Sequence, residues 1–101
     1  MKTANRNIHP GEILLEEYLK PAGITQYKLS KATGLPQSRL SNIISGKRGI
    51  TAETAILLGR FFETAPELWL NLQNLFDLRE AKYALGNQAE KVLPYKLQKV
   101  A

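Results

Sequence analysis

An all-α fold of five helices is what this sequence predicts, on three observations. Apolar residues recur at three- and four-residue spacing from Leu14 to Leu85, the period of a helix face. Proline and glycine gather at Pro21–Gly23, Gly34–Pro36 and Gly46–Gly49, where helices would stop and restart. The 101 residues carry no cysteine and no long apolar run, one domain's worth of sequence and large enough for a single core without disulfides or a structural metal.

Residues 1–7 read as a short flexible arm with two cations, Lys2 and Arg6. Helix 1 opens at Ile8-His9-Pro10-Gly11-Glu12, continues as ILLEEYLK and is expected to stop before Pro21. Leu14, Leu15, Tyr18 and Leu19 share its buried side, while Glu12, Glu16 and Glu17 face solvent and suit the positive end of the helix dipole. His9 is the single histidine, with no cysteine or second imidazole to join it in a metal or catalytic set. It reads as a turn or capping residue.

The centre of the chain is Thr25–Arg48. Thr25 is suited to cap helix 2, and Gly34 can take the left-handed conformation that ends it. Pro36 is expected at the first position of helix 3, where its missing N–H costs nothing. Leu29, Leu35, Leu40 and Ile43 are spaced to pin the two helices together, and Ser30 is small where they cross. Gln37, Ser38, Arg39, Ser41 and Asn42 remain on the outer side. That is a helix-turn-helix arrangement, whose second helix enters the DNA major groove. Gln37 can reach adenine and Arg39 guanine with paired hydrogen bonds, and Asn42 can add a base or phosphate bond. Lys28, Lys47 and Arg48 are the candidate phosphate ligands, the last two in a Gly46–Gly49 loop open to close backbone approach. GKRG lacks the spacing and the Lys-Ser/Thr pair of a nucleotide-binding P-loop.

Thr51 is the expected cap of helix 4, which would bury Ala55, Leu57, Leu58, Phe61 and Phe62 at the middle of the core. Thr64-Ala65-Pro66-Glu67 has the form of a capping box for helix 5, residues 66–85. That helix carries two apolar sides. Leu68, Trp69, Leu72, Leu75, Phe76 and Tyr83 form one, for docking on the domain; Leu70, Leu78, Ala81 and Leu85 form another. A surface helix normally has one such face, so the second points to a homodimer. From Gly86 to Ala101 the periodicity fades into a basic tail with Val92, Leu93, Tyr95, Leu97 and Val100 in it.

Charge placement narrows the function. Lys28, Lys31, Arg39, Lys47, Arg48 and Arg60 stand against Glu53 alone, a surplus equal to the +5 of the whole chain. A positive face of that kind suits a polyanion such as double-stranded DNA. A membrane surface is a poorer fit, because the basic stretch lacks a broad apolar face. No signal peptide or spanning segment is evident, and a cytoplasmic location is expected. The carboxylates are scattered over exposed helix faces, which leaves no catalytic constellation. No enzyme activity, cofactor, metal or small-molecule substrate is expected.

Three blocks, HPGEILLEEYLKPAGIT, LPQSRLSNIISGKRGITAETAILLGRFF and PELWLNLQ, carry a resemblance over about residues 8–85. The chain resembles the lambda-repressor-like helix-turn-helix family, and within it the HigA (VapI-like) antitoxins of toxin–antitoxin pairs. The resemblance implies a five-helix DNA-binding domain over 8–85, a homodimer joined through helix 5, and a palindromic operator in its own promoter. It also implies a HigB-type toxin partner, a small RelE-like endoribonuclease that cleaves mRNA. Gln26 and Gln37 match the glutamine pair of the wider repressor family, in which one reads a base and the other braces it. Ser30 stands where that family usually has alanine. A stand-alone regulator without a toxin is the competing reading, and the absence of cysteine separates the chain from zinc-bearing antitoxin relatives.

Overall fold

The computed structural model describes residues 6–96; residues 1–5 of the expected arm and 97–101 of the tail lie outside it. Among the described residues there are five helices, a short 3-10 turn at Ala89–Lys91 and no strand.

Helix α1 consists of Pro10–Ile13, a π-wound stretch Leu14–Leu19 and a last turn Lys20–Ala22. His9 caps it: its Nδ1 accepts the Gly11 N–H at 2.9 Å. The sequence places the end before Pro21, but the helix runs through it to a left-handed Gly23 (φ 68°). The Lys20 N–H reaches back to the Leu15 carbonyl. This wider winding relieves the clash of a proline ring with the carbonyl four residues earlier.

Helix α2 (Gln26–Thr33) starts where Thr25 accepts the Lys28 N–H at 3.1 Å and ends at a left-handed Gly34 (φ 82°). Two side chains then fasten the turn. Thr33 donates to the Leu29 carbonyl and accepts from the Leu35 N–H, and Ser30 donates to the Leu35 carbonyl. Helix α3 (Gln37–Ile44) begins one residue later than expected: Pro36 has an extended ψ of 144° and precedes the first turn. Helix α4 (Ala52–Phe62) is capped by Thr51.

Leu14, Leu19, Leu29, Leu35, Leu40, Ile43, Ile50, Ala55, Leu58 and Trp69 form the buried core. Leu57, Phe61 and Phe62, expected at its middle, are only partly buried and pack against its side. The capping box before helix α5 (Pro66–Leu85) does not form. Thr64 Oγ1 accepts from the Trp69 indole N–H at 3.0 Å instead, and Ala65 stands at the cap without a side-chain bond. Burying Trp69 leaves its N–H in need of a partner, and that need takes the hydroxyl.

Helix α5 docks only through its first half. Trp69 and Gln73 are buried, whereas every residue from Asp77 to Lys96 is exposed. Tyr83, assigned by periodicity to the docking side, is 90% exposed because the helix has by then passed the edge of the domain. Leu75 is likewise exposed. The projecting half gives principal extents of 60 × 33 × 21 Å and a radius of gyration of 17.8 Å. A compact chain of this length would have about 13 Å.

Candidate nucleic-acid interface

The outer edge of α3 is built by the turn that precedes it. With the α2–α3 corner held by Ser30 and Thr33, Leu40 and Ile43 are fully buried. Gln37, Ser38, Ser41 and Asn42 are thereby turned to solvent. Amides and hydroxyls at helical spacing on an open edge match the donor and acceptor pattern of base edges.

The loop after α3 folds back on the same helix. Both the Lys47 and the Arg48 N–H donate to the Asn42 carbonyl, at 2.8 and 3.1 Å. Gly46 at φ 83° makes the reversal, and both cations stay exposed beside Asn42. At its far end the Ile50 N–H donates to Gln73 Oε1 at 2.7 Å, and Gln73 Nε2 donates to Asp77 at 2.9 Å. A Cβ on Gly49 would lie 3.0 Å from the Gln73 side chain. A buried amide of α5 thus anchors the basic loop.

Lys28 is exposed on α2 and Gln26 is partly buried at its first position. Tyr27, half exposed between them, carries the Lys31 ammonium 5.5 Å from its ring centre. Arg39 differs from its neighbours on α3. Its side chain is 33% exposed, and its Nη1 lies 4.0 Å from Glu53 of α4. Its Nε is buried without a partner. Together with Arg48 and Thr51 they line a polar recess of about 170 Å³ at the start of α4. At 4.0 Å, and with Glu53 78% exposed, that ion pair is a weak restraint on the Arg39 side chain.

The second apolar side of α5 is divided by burial. Leu70 already packs against the core of its own domain. Leu78 (57% exposed), Ala81 and Leu85 are open to solvent.

Sequence reasoning missed three positions. Gln73, a polar residue that falls between the two apolar sides of α5, is only 9% exposed and holds the loop. Its spacing of one helical turn from Trp69 was the available signal. Gly11 carries no role of its own in the opening Ile8–Glu12, but the backbone of Ile43 lies against it. Glu53, counted as the lone acid among cations, faces Arg39. No group of three or more potential metal ligands exists among the described residues.

Comparison with known proteins agrees with this geometry. A helix-turn-helix family model matches residues 15–69. Virulence-associated protein I of Dichelobacter nodosus is 49% identical over 75 residues, 74% of this chain and 69% of that protein. Antitoxin HigA-1 of Vibrio cholerae is 38% identical over 93 residues, 92% of this chain and 88% of the antitoxin. The solved structure of Pseudomonas aeruginosa antitoxin HigA with the higBA promoter superposes with a TM-score of 0.84 at 38% identity. It covers 90% of this chain and all (100%) of that one. With the turn, the open edge of α3 and the anchored basic loop all in place, this chain belongs to the helix-turn-helix family, in its HigA (VapI-like) antitoxin branch.

Proposed function

We propose that this chain is the antitoxin of a HigB–HigA-type pair: a sequence-specific repressor of its own operon that also neutralises an mRNA-cleaving, RelE-like toxin. The observation that carries the DNA half is the exposed edge Gln37, Ser38, Ser41 and Asn42, continued without a break into the Lys47–Arg48 loop. Base-reading groups and phosphate-gripping groups stand side by side on one helix and its exit. The structural relative solved with the higBA promoter supports DNA binding by this fold.

A homodimer carries two such edges. Leu78, Ala81 and Leu85, with Leu70 at the inner border, are the surface proposed to join the copies. The two α3 helices then enter successive major grooves about 34 Å apart, which calls for a palindromic operator. In this reading Gln37 and Asn42 contact bases, and Ser38 and Ser41 contact bases or phosphates. Arg39 reads guanine on release from Glu53, Lys28, Lys47 and Arg48 grip phosphates, and Gln26 braces Gln37. The protein acts by binding and carries no catalysis of its own. No described helix is long and apolar enough to cross a membrane, and a cytoplasmic location is part of this reading, as a repressor works where its operator is.

The test has two arms. A gel-shift titration with the chain's own upstream DNA and a scrambled duplex should show a specific complex, which a repressor requires. Co-expression with the adjacent reading frame should restore growth that this frame alone arrests. DNA binding without rescue would leave a stand-alone regulator.

A further inference from the structure

The end of α4 remote from the recognition edge forms a groove against the end of α1. It is open, about 520 Å³, and floored by Tyr18, Ile24 and Phe62, with Glu17 and Glu63 at the rim. The aromatic floor is preformed: Tyr18 meets the Phe62 ring at 5.0 Å and the Trp69 ring at 4.9 Å. No cationic side chain lines it. Two cations adjoin the lining in sequence: Lys20 is engaged by Glu16 at 2.9 Å, and Arg60, beside Phe61, is exposed and outside the lining. Two helices also end here, α1 at Gly23 and α4 at Glu63, and the negative ends of their dipoles face this side. The groove therefore combines exposed apolar surface with a negative potential, in a chain whose net charge is +5.

We propose that this groove docks a cationic segment of a protein partner, a Lys or Arg reaching between Glu17 and Glu63 beside an apolar side chain seated on Phe62. This rests on the antitoxin reading, under which the partner is the toxin: a ribonuclease must carry basic surface to hold its RNA. The chain's own residues Ala89 to Lys96 do not reach the groove, since α5 leads them away from the domain and they are exposed. The groove and the polar recess lined by Arg39 and Arg48 lie at opposite ends of α4, about 16 Å apart along the helix axis. Toxin and operator can thus be held together.

The experiment measures binding of the purified ribonuclease from the adjacent reading frame to full-length protein, alongside growth rescue, operator binding and light scattering. Two variants are compared with wild type. Glu17→Gln with Glu63→Gln removes the rim charge, and Ala22→Trp fills the groove without changing charge. The first should weaken the toxin complex about tenfold or more and flatten its salt dependence. The second should abolish rescue, with thermal unfolding and operator affinity close to wild type in both. Wild-type-like toxin binding by both variants would overturn the groove assignment and leave the antitoxin reading standing. Failure of the wild type itself to bind or rescue would overturn that reading and the toxin as occupant with it. Dissociation of a wild-type dimer by either variant would assign the groove to a second copy instead.

Discussion

Gly11 lies flush against the backbone of Ile43: a methyl group on it would sit 1.8 Å from the Ile43 carbonyl oxygen. Here the first turn of α1 meets the last turns of α3, directly before the basic loop. Gly11→Ala should therefore force the helices apart. Overpacking costs about 1–3 kcal/mol, and the better helix propensity of alanine offsets at most ~1 kcal/mol. The expected result is a net loss of stability in urea or thermal unfolding, with weaker operator binding as α3 tilts. Wild-type stability would mean that α1 moves aside without strain.

Gln73 offers a second lever on the same loop. Gln73→Leu keeps the volume roughly but leaves the buried Ile50 N–H without its acceptor. That costs about 1–3 kcal/mol, or ~4–8 °C in melting midpoint per kcal/mol for a domain of this size. Operator affinity measured well below the midpoint should also fall, because the loop carrying Lys47 and Arg48 loses the anchor at its far end and keeps only its bonds to Asn42. A variant that melts early yet binds DNA normally would limit Gln73 to stability.

On the DNA face, reading and gripping should separate. Gln37→Ala is expected to lose ~1–3 kcal/mol on the specific operator and relax preference at one base pair. Lys47→Ala should weaken specific and scrambled duplexes alike and lower the salt slope by ~1. Anisotropy titrations at several salt concentrations distinguish the two, and identical behaviour would overturn these roles.

Acid should act first through His9. Burial lowers its pKa below the ordinary 6.5, against the smaller opposing pull of Asp77. The unfolded chain then takes up the proton more readily. Stability is complete above pH 6.5 and declines as pH falls through the lowered value. Protonation also removes the Nδ1 acceptor that caps Gly11. Glu12, whose pKa is held down by the hydrogen bonds from Arg6, matters only below its ordinary 4.5. Melting curves between pH 7.5 and about 5.5 should therefore show a decline in wild type. The decline should be absent in His9→Asn, which can still cap the helix.

For the dimer, Leu78→Asp places a charge in the middle of the proposed contact. Leu78 is 57% exposed there and outside the buried core, so the chain should stay folded while light scattering reports a monomer and operator binding weakens. Wild-type protein that is monomeric at roughly tens of micromolar would overturn the interface.

The sequence alone determined the five helices, the turn at Gly34 and the outward set on α3. Each follows from local chemistry: a capping hydroxyl, a glycine free to go left-handed, an apolar period. It also carried the charge asymmetry and enough motif to name the family. Tertiary structure decided what spacing cannot express. Thr64 could cap a helix or serve Trp69, and only the burial of the indole settled the choice. Pro21 looked like a terminator until the π winding made room for it. The periodicity of α5 treated Leu68 and Tyr83 alike, because period says which residues share a side but not where the neighbouring surface ends. Gln73, Gly11 and Glu53 do their work across the fold, each through a residue at least 14 positions away. Those pairings exist only once five helices have packed into one particular set of distances.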